Sequence, residues 1–154
     1  MQTVSDLLNE LTEQYLVFIN YTVENGYSNQ ANLSSFKSLS IGLWHIHEWI
    51  WKESPRLRTR FSNFSRYREC LFNKCSELKI MHDIANMSKH SILERNKSDF
   101  KELGIHEGNS LSSEDLPFVK VIMNDGQFYN GTKLLDKIFQ FWCDFVQDLR
   151  LEDI

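Results

Sequence analysis

Between His82 and His90 the chain reads His-Asp-Ile-Ala-Asn-Met-Ser-Lys-His, and six of these nine side chains are polar or ionisable. On a helix at 100° per residue, with Leu78 at zero, Lys89, His82, Asn86, Lys79, His90 and Asp83 fall within an arc from about 20° to 140°. Met81, Ala85, Ile84, Ile80 and Met87 take the other side. Such a face suits acid–base chemistry on a phosphate. His90 titrates near neutral pH and can move a proton, Asp83 and Asn86 can orient it, and Lys89 or Lys79 can hold developing negative charge. The same composition also describes a solvated helix face. A metal site over Asp83, His90 and His47 is the weaker chemistry. HExxH is missing, no Glu-x-x-His recurs on two helices, and the rings of His45 and His47 project to different sides of a helix. Neither a metal nor a cofactor is expected.

His47 is the second anomaly. It falls inside an apolar arc with Leu43, Trp44, Ile46, Ile50 and Trp51, where an imidazole must find a hydrogen-bond partner. Asp83, Asn86 or His90 is the expected partner, and the residue is either a tied core histidine or part of a ligand site. The third feature is basic. From Lys52 to Lys79 eight cations (Lys52, Arg56, Arg58, Arg60, Arg66, Arg68, Lys74 and Lys79) face three acids, a local charge of +5. Arg56, Arg58 and Arg60 stand in a connector ahead of Phe61, Phe64 and Tyr67. Arginines beside aromatics suit RNA phosphates and bases, although Phe64 and Tyr67 also open a helical core stripe. Lys79, Arg56, Arg58, Arg60 and Arg66, with His47, form the candidate ligand-binding set.

The elements that must position these groups are mainly helical. Val4, Leu7, Leu8, Leu11, Tyr15 and Phe18 predict an amphipathic helix over about 4–24. Asn32 or Ser34 caps a second helix that Ser54-Pro55 ends near Glu53. A third helix is expected from a cap at Asn63 to about Leu93, with Phe64, Tyr67, Leu71, Cys75, Leu78, Met81 and Ala85 facing inward. The stretch 94–116 reads as a long polar surface loop. After Pro117 the period switches to two, and Asn124-Asp125-Gly126 marks a hairpin over about 118–130. Thr132 then caps a last helix carrying Leu135, Ile138, Phe139, Trp142 and Phe145 inward. The expected architecture is a single domain over 1–154, a bundle of about four helices with a small β-hairpin before the last.

Composition bounds the partners. A charge of −4 and a 13% aromatic share describe an acidic, core-rich chain, so any attraction to nucleic acid must be local. Three cysteines make no zinc set and read as reduced packing residues. No signal peptide or membrane-length apolar run is visible, so a cytoplasmic protein away from membranes is expected. Trp44, Trp49 and Trp51 cannot all face one core, which points to a second packing surface and a homodimer.

Leu43-Trp44-His45-Ile46-His47-Glu48-Trp49, followed by Asp83-x-x-Asn86-x-x-Lys89-His90, resembles HEPN-like helical domains of prokaryotic toxin, antiphage and nucleotide-signalling systems over roughly residues 36–95. The resemblance implies a helical bundle. In its catalytic members an Arg four to six residues before a His forms a metal-independent ribonuclease site across a dimer. His90 matches that histidine and Asn86 the polar position within the motif, whereas Asp83, Ile84 and Ala85 stand where the arginine belongs. An aspartate there repels the scissile phosphate. The resemblance therefore implies a non-catalytic or regulatory module that engages RNA or a protein partner. A ribonuclease acting through His90, and an interaction protein with a buried polar network, are the alternatives.

Overall fold

The computed structural model describes residues 2–25, 29–87, 99–108 and 116–152. Six helices and three strands run through them: α1 (Val4–Asn25), α2 (Asn29–Glu53), α3 (Pro55–Arg60), α4 (Phe64–Lys74), α5 (Leu78–Asn86), β1 (Phe100–His106), β2 (Phe118–Met123), β3 (Phe128–Asn130) and α6 (Gly131–Glu152). The fold is mainly α, with a small antiparallel sheet ahead of the last helix. No described helix is long and apolar enough to cross a membrane.

The stripe of α2 makes it the central helix. Phe36, Leu39, Leu43, Ile46, His47 and Ile50 are all buried, and α1, α5 and α6 pack around it. Trp142 of α6 reaches across, and its Nε1–H donates to the Leu43 carbonyl at 2.9 Å. Tyr15 of α1 donates through its hydroxyl to Asp136 of α6. At the ends of these helices Arg150 donates to the Ser5 hydroxyl, and the Val4 amide donates to Glu53 Oε2 at 2.8 Å.

Four local expectations change. The long third helix breaks at Cys75, whose backbone is extended (φ −146°, ψ 94°), and resumes as α5. Asn73, Cys75 and Ser76 are weak helix formers, and the corner keeps Leu71, Cys75 and Leu78 all buried on the core. The supposed loop 94–116 contains β1, which pairs antiparallel with β2 and turns the hairpin into a three-stranded sheet. Leu103 pairs with Val121 and Ile105 with Val119 on the core side; two inward apolar positions and a glycine had resembled loop. Helix α2 starts at Asn29, before the expected caps, so Asn32 is a buried residue within it. The last helix is capped by Asn130, whose side-chain oxygen accepts from the Thr132 and Lys133 amides at 3.0 and 3.3 Å, and not by Thr132.

Other local readings hold. Asn63 caps α4, its side chain accepting from the Arg66 amide at 2.9 Å. Pro55 opens α3 while Ser54 Oγ accepts from Leu57 N. In the β2–β3 turn only Gly126 takes a positive φ, +89°. The Gly126 amide closes the turn on the Met123 carbonyl at 3.0 Å, a type I turn followed by a left-handed glycine.

Candidate functional site

The aromatic and basic residues of α2, α4 and α5 meet at one place. His47 is 1% exposed, and its Nδ1 bonds the Trp44 carbonyl one turn back. The bond goes to the helix's own carbonyl and not to the expected partners Asp83 or Asn86; the third, His90, lies outside the described residues. The Trp44 ring stacks on His47 with centroids 3.9 Å apart, and Phe64 covers His47 at 5.4 Å. Burial, reinforced by the nearby Arg68 and His45 charges, outweighs the Trp44 bond and Glu48 and lowers the His47 pKa to about 4. His47 is therefore neutral at physiological pH. The Tyr67 hydroxyl donates to its backbone carbonyl at 2.9 Å.

Above this floor lies Arg68. Its guanidinium carbon is 5.2 Å from the Trp44 ring centroid, 5.9 Å from Phe64 and 6.0 Å from Phe72. Phe64 and Phe72 precede and follow Arg68 by one helical turn, so α4 itself places both rings. Among the described residues, Arg68 Nε is the buried side-chain nitrogen that meets no acceptor. A buried unpaired donor costs about 1–3 kcal/mol, and an anion is the acceptor that best offsets that cost. A cavity of about 180 Å³ opens beside it, lined by Arg68, His45, His47, Glu48, His82 and Asn86 among others. His82 points edge-on at Trp44 at 5.1 Å, and its Nδ1 lies 3.1 Å from Asp83 Oδ1.

The predicted face of α5 is divided. Asn86 and His82 look into this cavity, whereas Lys79 and Asp83 line a separate cleft of about 200 Å³ with Ser76, Glu77, Asp99 and Tyr129. An arc of about 120° is wide enough to meet two neighbours. Lys79 lies 3.6 Å from Asp99 in an exposed pair. Lys89 and His90 lie outside the described residues, so the proposed proton carrier has no position here.

The basic connector also differs from expectation. Arg56, Arg58 and Arg60 belong to α3, where Arg58 lies on the side opposite the other two. Arg58 donates to the carbonyls of Trp51 and Lys52 at 2.5 and 2.7 Å, closing the C-terminus of α2. Arg66 pairs with Glu69 at 3.4 Å on the exposed side of α4. None of these four arginines is among the residues lining the Arg68 cavity. Arg68 and His82 were not in the candidate set; the aromatic spacing Phe64-x3-Arg68-x3-Phe72 was the available signal.

A larger cavity of about 660 Å³ lies between α1 and α2, lined by Glu10, Val17, Phe18, Ser35 and Leu39 among others. Its lining holds no basic or imidazole group among the described residues, unlike that of the smaller cavity. No group of three His, Cys, Asp or Glu converges as a metal site among the described residues. Of the three tryptophans of α2, Trp44 is buried, whereas Trp49 and Trp51 pack partly on the core and keep part of their surface exposed. Compared with known proteins, the chain matches no family model, no curated protein and no solved structure.

Proposed function

We propose that this chain is a non-catalytic, HEPN-like helical module that binds RNA, with the Arg68 cavity taking a backbone phosphate. One observation carries the reading: a guanidinium held over three rings, its buried Nε unpaired, facing a polar cavity that His45, His82 and Asn86 help line. The ring floor fixes the orientation of the cation, and Glu48, the acid in the cavity lining, lies 3.8 Å from His45 Nδ1. A phosphate or a carboxylate fits such a cradle; the local excess of cations on this segment favours a polyanion.

Arg68→Ala is the test, read by anisotropy of a labelled single-stranded RNA in excess EDTA. Binding should weaken at least about tenfold, and the slope of log K against log salt should fall by about one. Arg68→Lys should recover part of the affinity, because it restores charge without the planar fork. Unchanged affinity in Arg68→Ala would refute the phosphate assignment.

The His82–Asp83 pair beside Arg68 favours a second reading, a metal-independent ribonuclease in which His82, oriented by Asp83, does the proton transfer that His90 was expected to do. The same RNA run on a denaturing gel separates the two. Intact RNA supports the binding module; cleavage by wild type and not by His82→Ala supports the enzyme.

A homodimer is the proposed assembly, supported by the part-exposed Trp49 and Trp51 of α2 and by exposed Leu16 and Val17 of α1. Light scattering at micromolar concentration should give twice the chain mass, and a monomer mass would refute it.

A further inference from the structure

The Arg68 cavity has a floor and a mouth. Trp44, His47 and Ala85 make the floor, and all three are buried. His45 and Glu48 keep 44% of each side chain exposed and mark the mouth. Three helices supply donors around the space between: α2 gives His45, α4 gives Arg68, and α5 gives His82 and Asn86. Arg68 brings the buried Nε that meets no acceptor. His82 lies with its Nδ1 3.1 Å from Asp83, whose side chain is only 11% exposed. With that nitrogen's proton given to the carboxylate, Nε2 donates only when the ring carries a second proton. Asn86 brings a carboxamide at any pH. Glu48 is the acid of the lining, and its carboxylate lies 3.8 Å from His45 Nδ1 at the mouth. At about 180 Å³ the cavity falls below the roughly 300 Å³ from which pockets enclose a whole small ligand.

We infer, resting on the RNA reading above, that the phosphate this cavity takes is the terminal monoester at the end of an RNA strand. An internal phosphodiester is tied to sugar on both sides. Both links must leave through the one mouth, and two unesterified oxygens remain for donors that arrive from three helices. A terminal monoester is tied on one side. It offers three acceptor oxygens and close to two negative charges, which suits donors on three sides and a single exit. The same charge makes it the stronger acceptor for a buried guanidinium. The rings of Trp44, Phe64 and Phe72 hold Arg68 in place and are not needed to stack a base. The volume leaves the nucleoside outside the mouth, where the local excess of cations on this segment meets the strand's further phosphates.

The experiment is an anisotropy titration of the full chain, in excess EDTA, with a single-stranded RNA of about 12 nucleotides labelled on an internal base. The strand is made with a 5′-phosphate, with a 3′-phosphate, or with hydroxyls at both ends. One phosphorylated strand should bind at least about tenfold tighter than the dihydroxyl strand, the effect of one charge-assisted contact or more. Arg68→Ala should abolish that preference and Asn86→Ala should reduce it; the second variant, at the edge of the cavity, keeps the test open if the first fails to fold. Melting temperatures read in parallel keep a folding defect from counting as lost binding. Adenosine monophosphate as competitor separates the strand end from a free nucleotide.

Equal affinity for all three strands, lost in Arg68→Ala, overturns the terminal assignment and leaves the cavity as a site for an internal phosphate. A preference for a phosphorylated end that survives in both variants places its recognition elsewhere and overturns the assignment too. Affinity unchanged by Arg68→Ala for every strand removes the phosphate cavity itself, and no binding by wild type removes both readings. Displacement of the strand by adenosine monophosphate at equal concentration assigns the cavity to free nucleotides and also overturns the proposal.

Discussion

Between pH 7 and pH 4.5 the wild-type protein is expected to lose about 2–3 kcal/mol more stability than a His47→Gln variant. The reason is the difference between the buried and the free imidazole. In the unfolded chain a histidine titrates near 6.5, whereas burial among Trp44, Phe64 and Arg68 holds folded His47 to about 4. Above about pH 6.5 both states are neutral and nothing is lost. As pH falls toward 4 the unfolded state takes up a proton that the folded state refuses, so stability drops at roughly 1.4 kcal/mol per pH unit. Below the folded pKa the loss levels off. Glutamine can still donate to the Trp44 carbonyl but cannot titrate, so it removes this slope while the carboxylates continue to titrate in both proteins. Urea midpoints at the two pH values measure the difference. Parallel slopes in wild type and variant would mean that His47 is not held neutral by its surroundings.

Trp142→Ala should cost about 3–5 kcal/mol, a large share of the 5–15 kcal/mol typical of a whole domain. The indole is fully buried, and its N–H donates to α2 at Leu43. Truncation leaves a cavity between α2 and α6 that neither helix can close without moving. Trp142→Phe separates the terms: it keeps much of the ring and should cost about 1–2 kcal/mol, chiefly the hydrogen bond and the unfilled edge. Urea denaturation of the three proteins reads both values. A loss below about 1 kcal/mol for Trp142→Ala would contradict the packing of α6 on α2.

The helices that carry an uninterrupted stripe were legible in the sequence. For α1, and for the body and C-terminus of α2, the apolar spacing and Pro55 sufficed, while the start of α2 lies ahead of both expected caps; Asn63 and Gly126 announced a cap and a turn because their local chemistry admits few alternatives. The corner at Cys75 was not legible, because Leu71, Cys75 and Leu78 keep helical spacing through it. Strand β1 was masked by Gly104 and by the irregularity between Phe100 and Glu102.

At the candidate site, periodicity placed His47 in the core and Asn86 on a polar face. It did not show that the polar arc of α5 serves two clefts, since that depends on which elements pack on each side. Arg58 and Arg68 differ in sequence in that Arg68 has a phenylalanine one turn away on each side, whereas Arg58 has serines there. One closes the end of α2 and the other lies over a ring floor; α4 places Phe64 and Phe72 beside Arg68, and tertiary packing adds Trp44.

The contact between Ser5 and Arg150 spans 145 positions and joins the first described helix to the last. Closing so long a loop costs more entropy than bringing together α1 and α2, which are neighbours in sequence. During synthesis α1 and α2 leave the ribosome well before α6 exists. Until then the side of α2 that receives Trp142 stays open to water and to other chains. The nascent protein thus passes through an interval in which Leu43 and its neighbours lack their cover, and α6 is the element whose arrival ends it.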